Sequence, residues 1–148
     1  MHTIRNFVQL TDNIATSGQP TEAQFSLIAE AGYSTVINLA LASHADSLDN
    51  EGSLVAGLAM TYCHIPVPFD APKPHHLRQF FRIMDALEGE SVFVHCIMNY
   101  RVSAFLYQYL NKVKNMSDDE ARSDMFDRWQ PDPVWSDLLS WDEKVIGL

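Results

Sequence analysis

Apolar and polar positions alternate along this chain in short, well-punctuated segments. Val8 to Thr16 predicts an edge hairpin with Asp12-Asn13 as its turn. Ser17-Gly18-Gln19-Pro20-Thr21 then interrupts the pattern. Thr21 stands before Glu22 and a helical apolar set, Phe25, Leu27, Ile28 and Ala31, which Gly32 ends. Ser34 to Leu39 predicts a buried strand. The polar stretch from Ala40 to Gly52, with Asp46, Asp49, Asn50 and Glu51, predicts a loop, and Leu54 to Ala59 a weak helix. Met60 to Val67 predicts a third strand that runs into a proline-rich loop, Pro66 to Pro74. His76 to Leu87 is amphipathic, with Leu77, Phe80, Phe81, Met84 and Leu87 on one face. The run Val92-Phe93-Val94-His95, bounded by Gly89 and Ser91, predicts a short buried strand, and Val102 to Leu110 a buried helix. Ser117 followed by Asp118-Asp119-Glu120 marks a helix start. Pro131-Asp132-Pro133 breaks the chain before a last helix through Trp135, Leu138, Leu139, Trp141 and Val145.

Strands alternating with helices imply an α/β fold of three layers, a mainly parallel central sheet flanked by helices. There is no internal repeat, low-complexity segment or linker, so residues 1–148 are expected to form a single domain. In such sheets ligands sit outside the carboxyl ends of the strands. Cys96 falls at that end of its strand, and so does the loop after Val67, which carries Asp70. From this topology Asp70 is expected to face Cys96.

The stretch from His95 to Ser103 is the chemical centre. A strand, a short loop and a helix place backbone N–H groups at the helix N-terminus, which is an anion site by geometry and dipole. The same field favours thiolate over thiol, and cysteines so placed can have pKa values of roughly 3.5–7.5 instead of about 8.5. Cys96 is therefore the candidate nucleophile. Arg101, at the exit of the loop, is its anion-gripping partner. His95 is expected to orient the loop through hydrogen bonds, and Gln19 to line the pocket or to turn the chain. No Cys-x-x-Cys or His-Glu-x-x-His spacing occurs, and no metal site is expected.

Charge narrows the partners. The formal net charge is −9, which argues against nucleic acid and anionic membrane surfaces. A small anion is still accessible, because a ring of amides and one arginine acts locally. The first residues carry no basic-then-apolar export pattern, so a cytoplasmic location is expected, with Cys63 and Cys96 reduced.

His95-Cys96 with a downstream arginine and Ser103 resembles the signature of the cysteine-based protein tyrosine and dual-specificity phosphatases: His-Cys, five residues, Arg, then Ser or Thr. The likeness covers most of the chain. It extends to a bacterial group of small phosphatase-like domains with a Ser-Gly-Gln-Pro stretch like Ser17 to Pro20. The resemblance implies a phosphotyrosine-phosphatase-like fold and a phosphorylated substrate, protein or small molecule, with phosphate or sulfate as a ligand and no cofactor. It assigns attack on phosphorus to Cys96, phosphoryl binding to Arg101 and the amides of Ile97, Met98, Asn99 and Tyr100, leaving-group protonation to Asp70, and assistance in release to Ser103.

One departure is specific. Arg101 follows four intervening residues, not five, and Val102 holds the usual arginine position, while Asn99 stands where glycine is common. Either the loop is one residue shorter or the arginine enters from a different angle. The shorter spacing also resembles the active loop of rhodanese-type sulfurtransferases, which would use a Cys96 persulfide. A non-catalytic phosphate or phosphopeptide binder is the third alternative.

Overall fold

The computed structural model describes Met1–Leu148. Five strands, β1 (Val8–Gln9), β2 (Ile14–Ser17), β3 (Thr35–Asn38), β4 (Thr61–His64) and β5 (Val92–His95), form one sheet in the order β1-β2-β5-β3-β4. Only β1 pairs antiparallel with its neighbour. The register lines up Ser17, His95, Asn38 and His64 across the sheet. The chain therefore leaves all four parallel strands along one rim.

Burial alternates with the pleat. Val36 and Phe93 pack with Phe25, Ile28 and Val55 on one face. Ile37 and Val94 pack with Leu77, Phe80, Phe105 and Trp135 on the other. Both faces are covered, as a mainly parallel sheet requires. The first face carries α1 (Glu22–Glu30) and α2 (Glu51–Gly57). The second carries α3 (Pro74–Ala86) and α4 (Tyr100–Gln108), with α5 (Asp118–Ala121), α6 (Pro133–Leu139) and α7 (Glu143–Ile146) outside them. Thr21 and Ser117 close capping boxes at α1 and α5.

Four expectations are corrected. Leu27 leaves the apolar face of α1 and is 41% exposed. Glu51 is the first residue of α2, not part of a solvated loop, and is buried because His95 holds its carboxylate. Helix α4 begins two residues before Val102 and continues into a π-helical turn, Tyr109–Val113. The single last helix is two, because Asp142 caps a new turn by accepting from the amide of Val145. Val145 then faces solvent while Ile146 is buried. A short 3₁₀ turn, Asp124–Asp127, capped by Ser123, was not legible either.

Candidate active site

The loop between β5 and α4 is built by the strand ends beside it. The amide of Cys96 donates to the Ser17 carbonyl at 3.3 Å, and the amide of Gln19 donates to the Ile97 carbonyl at 2.9 Å. Gly18 makes this approach possible, since a Cβ there would lie 2.3 Å from the Ile97 oxygen. Gly18→Ala should thus cost about 1–3 kcal/mol of stability, the usual size for overpacking. Thermal unfolding reads that loss, and inorganic phosphate should bind more weakly as the loop shifts.

Asn99 reverses the loop in the left-handed conformation, φ 66° and ψ 20°, a region Asn tolerates better than most residues. Its side chain donates to the Asn6 carbonyl at 2.8 Å and to Thr16 Oγ1 at 3.0 Å. Asn6 returns the contact, donating to the Met98 carbonyl at 2.9 Å. Beyond Cys96, the amides of Ile97, Met98, Asn99, Tyr100, Arg101 and Val102 donate to no protein acceptor. A run of such donors at the start of a buried helix favours an anion.

A cavity of about 530 Å³ opens over this loop, lined by residues of three rim segments. Cys96, Ile97, Met98, Tyr100 and Arg101 come from the loop and α4, Phe69 and Asp70 from the segment after β4, and Leu41, Ser43 and His44 from the segment after β3. Cys96 is buried to 1% exposure. The Asp70 segment is fixed from below, where Trp135 Nε1 donates to the Phe69 carbonyl at 2.8 Å. Arg101 lies in the first turn of α4 and is 6% exposed. One of its terminal nitrogens donates to the Val67 carbonyl at 2.9 Å, and its guanidinium carbon lies 5.6 Å from the Phe69 ring centre. Its Nε is buried and donates to no protein atom.

Beneath the loop lies a polar cluster. His95 Nδ1 is 3.0 Å from the Cys96 carbonyl, and Nε2 is 2.8 Å from Glu51 Oε2. Gln19 donates to Glu51 Oε1 at 2.7 Å. Burial pushes the Glu51 carboxyl up, but hydrogen bonds and charge from His95, with hydrogen bonds from Gln19 and Tyr62, hold it below its usual range.

Residues 8–134 match the family described as DSP-PTPase phosphatase fused to NAD+ kinase. The chain belongs to this DSP-PTPase family. A DUF442 protein of Shewanella putrefaciens CN-32, described as a candidate phosphatase, is 37% identical. The match covers 94% of this chain and 91% of that one, at a TM-score of 0.84. Two more distant structures share the fold. P. aeruginosa TpbA, in complex with pTyr, is 17% identical over 78% of this chain and 68% of its own, at a TM-score of 0.64. The core catalytic domain of the S. cerevisiae PP-IP phosphatase SIW14, in complex with citrate, is 15% identical over 97% and 90%, at 0.74. No curated protein matches the chain.

The DSP-PTPase chain brings six of the predicted residues, Cys96, Ile97, Met98, Tyr100, Arg101 and Asp70, to one cavity, and His95 directly below it. It does not bring Asn99, Gln19 or Ser103 there. Gln19 does not line the cavity; it turns inward to Glu51 and donates also to the Pro20 carbonyl. Ser103 Oγ donates to the Asn99 carbonyl four residues back, the usual reach of a helical serine, so it secures the loop reversal. Five residues were missed: Glu51, and the cavity wall of Leu41, Ser43, His44 and Phe69. The polar run around Glu51 reads as a loop, so neither its place at a helix start nor its partner in a distant strand was legible.

Cys63 is remote from Cys96. It pairs with Ile37, which pairs with Val94, so two strand spacings of about 4.8 Å separate Cys63 from β5. Cys96 lies two residues further along, beyond the roughly 7 Å that a disulfide spans between Cα atoms. Burial pushes the Cys63 thiol up, away from reactivity. No helix is long and apolar enough to cross a membrane.

Proposed function

We propose that this chain hydrolyses a phosphomonoester through a phosphocysteine, and that its substrate is phosphotyrosine-like or another phosphoprotein group. The observation that carries the reading is the meeting of Cys96, Arg101 and Asp70 on one cavity over a loop whose amides donate to no protein acceptor. The Cys96 thiolate attacks phosphorus as the ester oxygen departs with the proton of Asp70. Water then attacks the phosphocysteine, Asp70 takes its proton, and phosphate leaves with the thiolate restored. Arg101 and the amides of Ile97 to Tyr100 hold the phosphoryl oxygens while charge builds on them. No metal enters these steps. Family membership supports a phosphatase, and the pTyr complex of TpbA supports the aryl ester.

The test is release of p-nitrophenol from its phosphate ester, inhibition by vanadate, and a phosphorylated Cys96 in acid-quenched protein. No turnover of any phosphate ester would overturn it. Asp70→Asn should slow turnover of alkyl phosphates by about 10²-fold, the size of a general-acid contribution. Aryl esters with acidic leaving groups should lose less, and an equal loss on both would remove Asp70 from that role.

A further inference from the structure

We propose that Glu51 is a positioning residue for Cys96: its carboxylate keeps a second proton on His95, and the buried ion pair holds the nucleophile's loop from beneath.

The argument starts from the two ring nitrogens. Nδ1 faces the Cys96 carbonyl oxygen, which can only accept, so Nδ1 carries a proton. A neutral ring then has a bare Nε2, yet Nε2 lies 2.8 Å from a carboxyl oxygen. One proton must sit between them. Glu51 Oε1 accepts from Gln19, and the Tyr62 hydroxyl, which accepts from Asn38, is turned to the same carboxyl. The Gln19 donor and the neighbouring Tyr62 hydroxyl favour the carboxylate, which leaves the proton on His95.

The pair is enclosed. His95 is fully buried and Glu51 is 5% exposed. The groups that face it are Gln19 after β2, Asn38 of β3, Tyr62 of β4, the Phe25 ring of α1 at 5.8 Å and Cys96 itself. None of the others is a cation, so the balance of charge lies between Glu51 and His95. An imidazolium whose N–H grips the carbonyl of the nucleophile's own residue does two things. It fixes the main chain where the amide run starts, and it adds a positive charge beside the sulfur, which favours thiolate.

The inference rests on the cysteine mechanism for its kinetic meaning, but its test needs no ester. Glu51→Gln keeps the shape and removes the charge. Alkylation of Cys96 by iodoacetamide at pH 6 should slow by about tenfold, the size of a one-unit shift. At pH 9, above the ordinary thiol value of about 8.5, the rates should converge. Glu51→Asp should recover part of the loss. A purely architectural role predicts equal loss at both pH values, and an unchanged profile would overturn the proposal. Nitrogen NMR of the wild-type His95 ring decides independently, even if the variant does not fold. Protons on both ring nitrogens at pH 7 support the pair, and a bare Nε2 refutes it. Neither readout depends on turnover, so inactivity toward esters would sink the phosphatase reading alone.

Discussion

Cys96→Ser should abolish turnover of p-nitrophenyl phosphate, by about 10⁴-fold or more, while phosphate affinity survives. A nucleophile that acts as a unit with its surroundings carries losses of this size, up to about 10⁶-fold in a serine enzyme. The loop should tolerate the change, because its shape comes from main-chain bonds to Ser17 and Gln19 and from the Asn6–Asn99 contacts, not from sulfur. A serine hydroxyl fits the same buried space but stays protonated where a thiolate attacks. Two measurements separate binding from chemistry: initial rates with the ester, and calorimetric titration with inorganic phosphate. Turnover within tenfold of wild type would place the nucleophile elsewhere. Loss of phosphate binding together with turnover would show instead that the loop had collapsed.

Arg101→Lys should lower kcat/KM by about 10²–10³-fold, as removal of a donor aimed at developing charge does. The size follows from how the guanidinium is held. One nitrogen is tied to the Val67 carbonyl, the plane lies near Phe69, and the buried Nε has no protein acceptor. Arginine can keep its tether and still offer donors to an anion. Lysine has one nitrogen for both tasks and no fork to match two phosphoryl oxygens. The loss should appear in phosphate and vanadate affinity as well as in turnover. An unaffected kcat/KM would mean that the displaced arginine is only a strut under the Asp70 segment. The four-residue spacing would then be the mark of an amide-only cradle.

The fold was legible because its strand ends are marked by abrupt changes of composition. Gly89 and Ser91 bound β5, and Pro66 follows β4 closely, so the topology placed Asp70 on the rim of Cys96 before any contact was known. Cys96 and Arg101 were legible as neighbours because they are five residues apart, one at the entrance of the loop and one in the first turn of α4. What escaped depends on direction and not on identity. Whether Ser103 faces the cavity or the preceding turn is a matter of helix phase, and Asn99 lies one turn back to receive it. Gln19 reads as a pocket residue until Glu51 appears beneath it. Glu51 was hidden because a carboxylate in a polar run is ordinarily solvated, and only its pairing with His95 draws α2 forward to include it. The split after α6 escaped for a local reason: Trp141 and Val145 extend the apolar spacing, but Asp142 competes for the helix N–H groups.

The contacts of Arg5 and Asn6 bear on how preparations are compared. The Arg5 carbonyl accepts from the Gly18 amide, and Asn6 exchanges hydrogen bonds with the cradle itself. Arg5 and Asn6 are thus part of the scaffold of the Cys96 loop. A purification handle placed directly ahead of them sits within a few residues of that scaffold, so phosphate affinity should differ before and after the handle is cleaved.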